Sequence, residues 1–411
     1  MTDQQTSVLP PGRGPGPVVA EPQPGRRPRH RARRALLGVG LVALVVGVPT
    51  ASSYTAALNA PGAGPWSVAT VTWLDDHGFA PVVNTVETII YSLNAPATTG
   101  SVTPGSLPRA RAAGGAPPTA TLVAASPPPP IAPAVSGPAL PGEGQWHGTG
   151  PTVAGGPAAW TTFFRPDPSH TGVLAGALRL DQARTVTALV PGSKEPGPVA
   201  GALPSRVPTG LRGSLVATFG AGFRFRDNPG GFYLGGHARQ PLVPGRASMV
   251  IAADGRVDIR AWAGGPTPAA DVVSVRQNLA LVVQNGKPVD GLSTNADHTW
   301  GKAGQQREFT MRTGAGITAN GDLVVVEGGP MTLPSLADTL VQAGAVTGMQ
   351  LDIHKAQVSV DTFAPDPTSA GRTRATALLP DQQRPADRFL TTDQRDFFAV
   401  FASGTALTGA R

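Results

Sequence analysis

The 411-residue chain contains no cysteine, which excludes disulfides, thiolate nucleophiles, Cys-ligated zinc and iron–sulfur clusters. Charged residues are only 14% of the chain and aromatic residues 5%, against 52 Gly and 44 Pro. So many of the two poorest helix formers exclude a coiled coil or a helix-rich bundle. The hydrophobic content of 40% is enough for a packed core and excludes disorder throughout. No serine elbow, two-histidine helical metal motif, phosphate-cradling Gly-Lys-Ser/Thr loop or dinucleotide fingerprint occurs. The seven histidines are scattered, so neither a metal nor a cofactor is expected. The formal net charge of +7 would suit a nucleic-acid binder if it were spread over a surface. It is not: residues 1–34 hold seven arginines against Asp3 and Glu21, leaving 26 basic and 24 acidic residues for everything else. A nucleic-acid partner is not expected.

What is present first is a graded N-terminal region. Residues 1–34 read as a basic cytoplasmic tail. Residues 35–58 form a charge-free run of 24 residues, long enough for a transmembrane anchor, which needs roughly 20. The arginines before it predict a single-pass plasma-membrane protein with a cytoplasmic N-terminus and an extracellular C-terminal domain. A secretory signal cut near Thr55-Ala56-Ala57 is the competing reading. Residues 59–94 carry Phe79, Val82, Val83, Val86, Ile90 and Leu93 at helical spacing, predicting a juxtamembrane amphipathic helix that lies either on the protein or on the membrane surface. Residues 95–143 hold twelve prolines and read as a solvated linker.

From residue 144 to 411 the pattern changes to short β-rich runs separated by turn signals. Three hairpins are predicted, across Asp254-Gly255, Asn285-Gly286 and Asn320-Gly321, because such pairs suit turns with positive φ. One helix is predicted from Pro334 to Ala343, stopped by Gly344, and a second over Asp393–Phe401. The fold class is therefore α+β, a single extracytoplasmic domain of mixed or antiparallel sheet behind one transmembrane helix and a Pro-rich linker. In the run 349–354, strand alternation puts Gln350, Asp352 and His354 on one face, so a carboxylate and an imidazole could share a cleft. Ser274, Arg276 and Asn278 share a face in the same way. A merely solvated sheet face would show the same alternation.

Several blocks carry a family resemblance. They are Thr218-Phe219-Gly220-Ala221-Gly222-Phe223 followed by Asp227–Tyr233, Ala247–Ile251 with Asp254–Val257, Val275–Leu279, Arg312-Thr313-Gly314-Ala315-Gly316 and Leu351-Asp352-Ile353. In this order they resemble the phosphodiester glycosidase family, most closely its actinobacterial membrane-anchored members, whose juxtamembrane and terminal segments are echoed at 73–78 and 395–400. The resemblance implies hydrolysis of sugar-1-phosphodiester linkages, with cell-envelope glycans as the substrate setting. It implies catalytic roles for Asp352, Arg312 and His354, and substrate contacts at Arg276, Asn278, Gly316 and Gly222. Two departures stand out. The family's Asn in the first block is Gly220 here, and the Gly-rich stretch after the strand carboxylate is replaced by Ile353-His354-Lys355. These motivate the alternative of a non-catalytic glycopolymer-binding module on the same fold.

Overall fold

The computed structural model describes residues 48–60, 63–93, 95–102, 107–108, 126–228, 230–301, 308–366, 368–369 and 372–407. The chain divides into residues 1–53 and 54–411. Of the first unit only residues 48–53 are described, and they are helical. The second unit is a mixed α+β domain whose sheets are antiparallel throughout.

Three sheets make up the domain. The largest has eight strands, in the spatial order His147–Val153, Gly156–Phe164, Leu174–Leu180, Leu323–Met331, Thr310–Thr318, Ala345–Ile353, Leu281–Gln284 and Lys287–Pro288. A second, of five strands, runs Thr373–Ala377, Val360–Pro365, Leu215–Gly220, Phe397–Ala402 and Thr185–Val190. The third also has five, His237–Gln240, Phe232–Leu234, Val272–Gln277, Ala247–Ala252 and Val257–Ala261. One core joins all three: Leu178 and Val325 from the first sheet pack with Phe219 and Phe398 from the second and Phe232 and Met249 from the third. On the outer face of the large sheet, Val324 and Val326 pack with Leu333, Leu336 and Leu340 of the helix Leu333–Gln342. Neighbouring residues of one strand thus serve two cores, as the period of two requires.

The predicted hairpins form across all three turns. Asn285 and Gly286 both have positive φ, at 52° and 70°, which is the mirror-image turn that matches strand twist. The predicted 334–343 helix also forms, capped by Thr332, whose side chain accepts from the Ser335 amide, and followed by Gly344 at φ 99°.

Two expectations are corrected. The segment 393–401 is not a helix: Phe397–Ala402 is a strand paired on both edges, with Leu215–Gly220 and Thr185–Val190. Every residue from Phe397 to Phe401 is buried, so the run serves two packed faces and has no solvent side for a helical stripe to define. The single-pass anchor is not supported either. Among the described residues no helix is long and apolar enough to cross a membrane. Residues 48–58 are helical, whereas 35–47 and the basic segment 1–34 lie outside the described residues. The plasma-membrane location, the membrane partner and the cell-envelope setting of substrate and function rested on that span and are withdrawn with it.

The linker reading also meets a different arrangement over 126–143. Ile131 and Val135 are buried, the Trp146 indole donates to the Pro129 carbonyl at 3.0 Å, and Glu143 pairs with Arg165 at 2.8 Å. Proline fixes an extended backbone, and that backbone is laid along the domain.

Glu327 continues the inward row of Leu323 and Val325 into the central core, where neither carboxyl oxygen has a hydrogen-bond partner. Burial, and then the nearby Asp361 and Asp381, push its pKa well above 4.5, so the folded protein holds it protonated. Below its ordinary pKa the folded and unfolded states are equally protonated. Above it only the unfolded state ionises, and stability falls as pH rises. Glu327→Met is therefore expected to stabilise the fold by about 1–3 kcal/mol at neutral pH, the usual penalty of an unsatisfied buried polar group. The gain should shrink toward pH 4 in urea titrations, and a loss of stability at neutral pH would refute this reading.

Candidate active site

A cavity of about 1100 Å³, counting its open mouth, lies over the strands Thr310–Thr318 and Ala345–Ile353. Its floor carries Arg312, Gln350, Asp352 and His354. One wall is built by Phe223, Arg224 and Arg395, and another by Trp300 and Glu308. The roof is the N-terminal helical pair Trp66–Leu74 and Ala80–Leu93, joined by a kinked turn in which Gly78 has φ 89°.

Asp352 sits near the end of its strand, anchored by the Thr313 hydroxyl, which donates to its carbonyl at 2.8 Å. Its carboxyl reaches the wall: Oδ1 is 3.9 Å from Arg395 Nη2. Burial pushes its pKa up to about 6, with Arg395 and Arg388 pulling the other way and Asp396 adding to the rise. The Asp352 carboxyl rests directly on Gly220, where a Cβ would stand 2.3 Å from Oδ2. The glycine that departs from the family block therefore occupies a position where a side chain would collide with this carboxylate.

His354 leaves the strand with φ 72°. Its ring stacks on Tyr91 at 4.8 Å and 10°, and Nδ1 shares a 3.2 Å hydrogen bond with the Thr310 hydroxyl. Burial, helped by Arg312, lowers its pKa to about 3, so the ring is neutral and its 3.8 Å approach to Glu87 Oε2 is not an ion pair. Arg312 lies in the floor with its guanidinium committed to the Met331 carbonyl at 2.8 Å, Gln350 Oε1 at 2.8 Å and the Glu308 carbonyl at 3.1 Å. Burial lowers its pKa to about 10, opposed by Glu308, and it remains a cation.

The other sequence-predicted residues do not line the cavity. Arg276 is fully buried, paired with Asp396 at 2.6 Å and donating to the carbonyls of Gln277 and Phe223. Asn278 clamps the loop behind the wall, donating to the Ala221 carbonyl and accepting from the Phe223 amide, both at 3.1 Å. Gly222 lies within that clamp at φ 116°, where a Cβ would meet the Asn278 amide at 2.3 Å. Gly316 is a mid-strand packing position against Ala345 and Thr347. These residues shape the wall from behind.

Among the lining residues that the sequence does not single out, Arg395, Arg224 and Glu87 carry charge toward the site. Arg395 donates to the Gly222 carbonyl at 2.6 Å, while its Nε, buried, has no hydrogen-bond partner. Burial works against its charge, but Asp352 and Glu195 outweigh it and hold the guanidinium protonated. Arg224 pairs with Asp76 of the roof at 2.7 Å, and Glu87 projects from the roof helix. Arg395 belongs to the 393–401 run, for which the sequence predicts a helix and which instead ends in the strand Phe397–Ala402. Among the described residues no group of three or more His, Asp or Glu could hold a metal ion.

The sequence model of the phosphodiester glycosidase family matches residues 212–352, about a third of the chain, and ends at Asp352. Solved structures give a distant likeness. The zebrafish N-acetylglucosamine-1-phosphodiester alpha-N-acetylglucosaminidase catalytic domain, auto-inhibited by its pro-peptide, is 14% identical, with a TM-score of 0.37, covering 62% of this chain and 87% of that one. A hypothetical protein from Synechocystis is 12% identical, with a TM-score of 0.36, covering 59% of this chain and 62% of that one. No curated protein matches. The likeness is to the family in part, and none of these matches points to an actinobacterial branch of it.

Proposed function

We propose that the cavity hydrolyses a sugar-1-phosphodiester between the anomeric carbon and the phosphate oxygen, freeing the sugar and leaving a phosphomonoester. The observation that carries this reading is the buried Asp352 carboxyl, facing the Arg395 guanidinium across 3.9 Å at the end of the family-like stretch. Such a reaction needs an anion to face the oxocarbenium-like transition state and a cation to hold the phosphate. Asp352 supplies the first. Arg395, whose side chain borders the cavity while its Nε lies 3.9 Å from Glu195, supplies the second, since guanidinium matches phosphate with paired hydrogen bonds. Arg312, with its donors committed to the floor, adds positive potential, and neutral His354 shapes the pocket beside the carboxylate.

The test is to incubate the full chain with an alkyl diester of a hexosamine-1-phosphate in ¹⁸O-water. Free sugar carrying the label, with unlabelled alkyl phosphate, is the expected product pair. Label in the phosphate, with sugar-1-phosphate released, would mean cleavage on the other side of phosphorus and would sink the reading.

Gly220 gives an independent check. Because a Cβ there collides with the Asp352 carboxyl, Gly220→Ala should turn that carboxylate away while the strand stays paired. Misplacing a reacting group by about 1 Å can cost roughly 10²-fold in rate, and a loss of that order is expected with an unchanged far-UV spectrum. Wild-type turnover in this variant would show that the Asp352 orientation does not matter.

A further inference from the structure

The roof helix Ala80–Leu93 is oriented against the usual logic of burial. Val82, Val86, Ile90 and Leu93 are exposed on its outer side, whereas Asn84, Glu87 and Thr88 line the cavity. It is fixed there at several points. The Thr88 hydroxyl donates to Glu308 Oε1 at 2.8 Å, the Phe309 amide donates to the Tyr91 carbonyl at 3.2 Å, and Tyr91 stacks on His354. The preceding turn is tied down by Asp76 to Arg224 at 2.7 Å and Asp75 to Arg226 at 3.0 Å. A carboxyl group is thus held over the floor by a segment that lies wholly outside the family-like stretch 212–352.

We propose that Glu87 is a second catalytic carboxyl of this site, the base that takes the proton of the attacking water. The proposal rests on the hydrolase reading above. Its chemical reason is the leaving group: a phosphomonoester departs as a stable anion without being protonated, so the proton transfer that needs help is the one from water. The water oxygen bonds to the anomeric carbon, and the carbon–oxygen bond to phosphate breaks with its electron pair staying on the phosphate oxygen. The water proton passes to Glu87 and then to solvent, while Asp352 faces the developing positive charge.

The electrostatics suit a base near neutrality. Burial first, then Asp75 and Glu308, push Glu87 up to about 7. The groups facing it are neutral His354, Tyr91, whose pKa is raised to about 12, and across the cavity Asp352, Arg312 and Arg395. A base works only when deprotonated, so activity should rise through this range as pH increases.

The test compares wild type, Glu87→Gln and Glu87→Ala on the hexosamine-1-phosphate diester. Wild type should show a rising limb near pH 7. Glu87→Gln should lose roughly 10²–10⁴-fold, the usual worth of a general base, and keep only a limb near pH 6 from Asp352. In Glu87→Ala, azide should restore turnover and yield the glycosyl azide, because azide attacks without losing a proton. A purely structural role would give no such rescue. Unchanged rate and limb in Glu87→Gln, faster turnover in either variant, or no azide product would overturn the assignment while leaving the hydrolase reading intact. Absence of any sugar release by wild type would remove both.

Discussion

Asp352→Asn should lower turnover of a sugar-1-phosphodiester roughly 10²–10³-fold, the scale set by deleting one preorganised electrostatic partner of a transition state. The substitution keeps the volume and removes the charge. Neither the Thr313 hydroxyl bond to the Asp352 carbonyl nor the contact with Gly220 depends on that charge, so the variant should fold. It should gain stability slightly at neutral pH: a carboxyl whose pKa is raised to about 6 by burial favours the unfolded state once pH exceeds its ordinary value of 3.8. A loss of rate with preserved or increased stability is a signature that a merely damaged fold would not give. Full turnover by Asp352→Asn would remove the carboxylate from the mechanism.

Arg276→Met should destabilise the domain by about 3–5 kcal/mol, which is what breaking one side of a buried ion pair costs. Arg276 and Asp396 are both fully buried, 2.6 Å apart, and the guanidinium also lies over the Phe225 ring at 4.6 Å. Without it, Asp396 is left charged in the core with one oxygen already lacking a partner. The double variant Arg276→Met with Asp396→Leu should recover most of the loss, since an apolar pair of similar size can replace a buried ion pair. Urea unfolding of the two variants decides the matter: a single-variant loss under about 1 kcal/mol would show the pair to be dispensable.

These two residues also mark what the sequence makes legible. Asp352 follows from strand alternation, a local rule readable from the chain alone; Arg312 is expected beside it only from the family resemblance, and the pairing of their two strands, which brings them to one cavity, is not announced locally. Arg276 obeys the same rule on its own strand, but its destination is decided by Asp396, 120 positions away, which no periodicity announces. The hairpin turns were legible for the opposite reason: an Asn-Gly or Asp-Gly pair states its own backbone preference. The strand Phe397–Ala402 was hidden because a run buried on all sides has no polar stripe to set its period. The roof helix was legible as a helix, yet its orientation was not. Its apolar stripe suits equally a helix docked on the protein and one lying on a membrane surface; polar anchoring, through Thr88 to Glu308 and through Asp76 of the preceding turn to Arg224, leaves Val82, Val86, Ile90 and Leu93 facing outward.

The reach of the site along the chain has a practical corollary. Side chains as far apart as Val71 and Arg395 border the same cavity, so excising the stretch 212–352 for expression would yield a floor stripped of its roof and of the guanidinium at its side. Active fragments, if trimmed from this protein, must keep both extremities of the folded region, and libraries that shuffle its middle alone will be screening an open bowl.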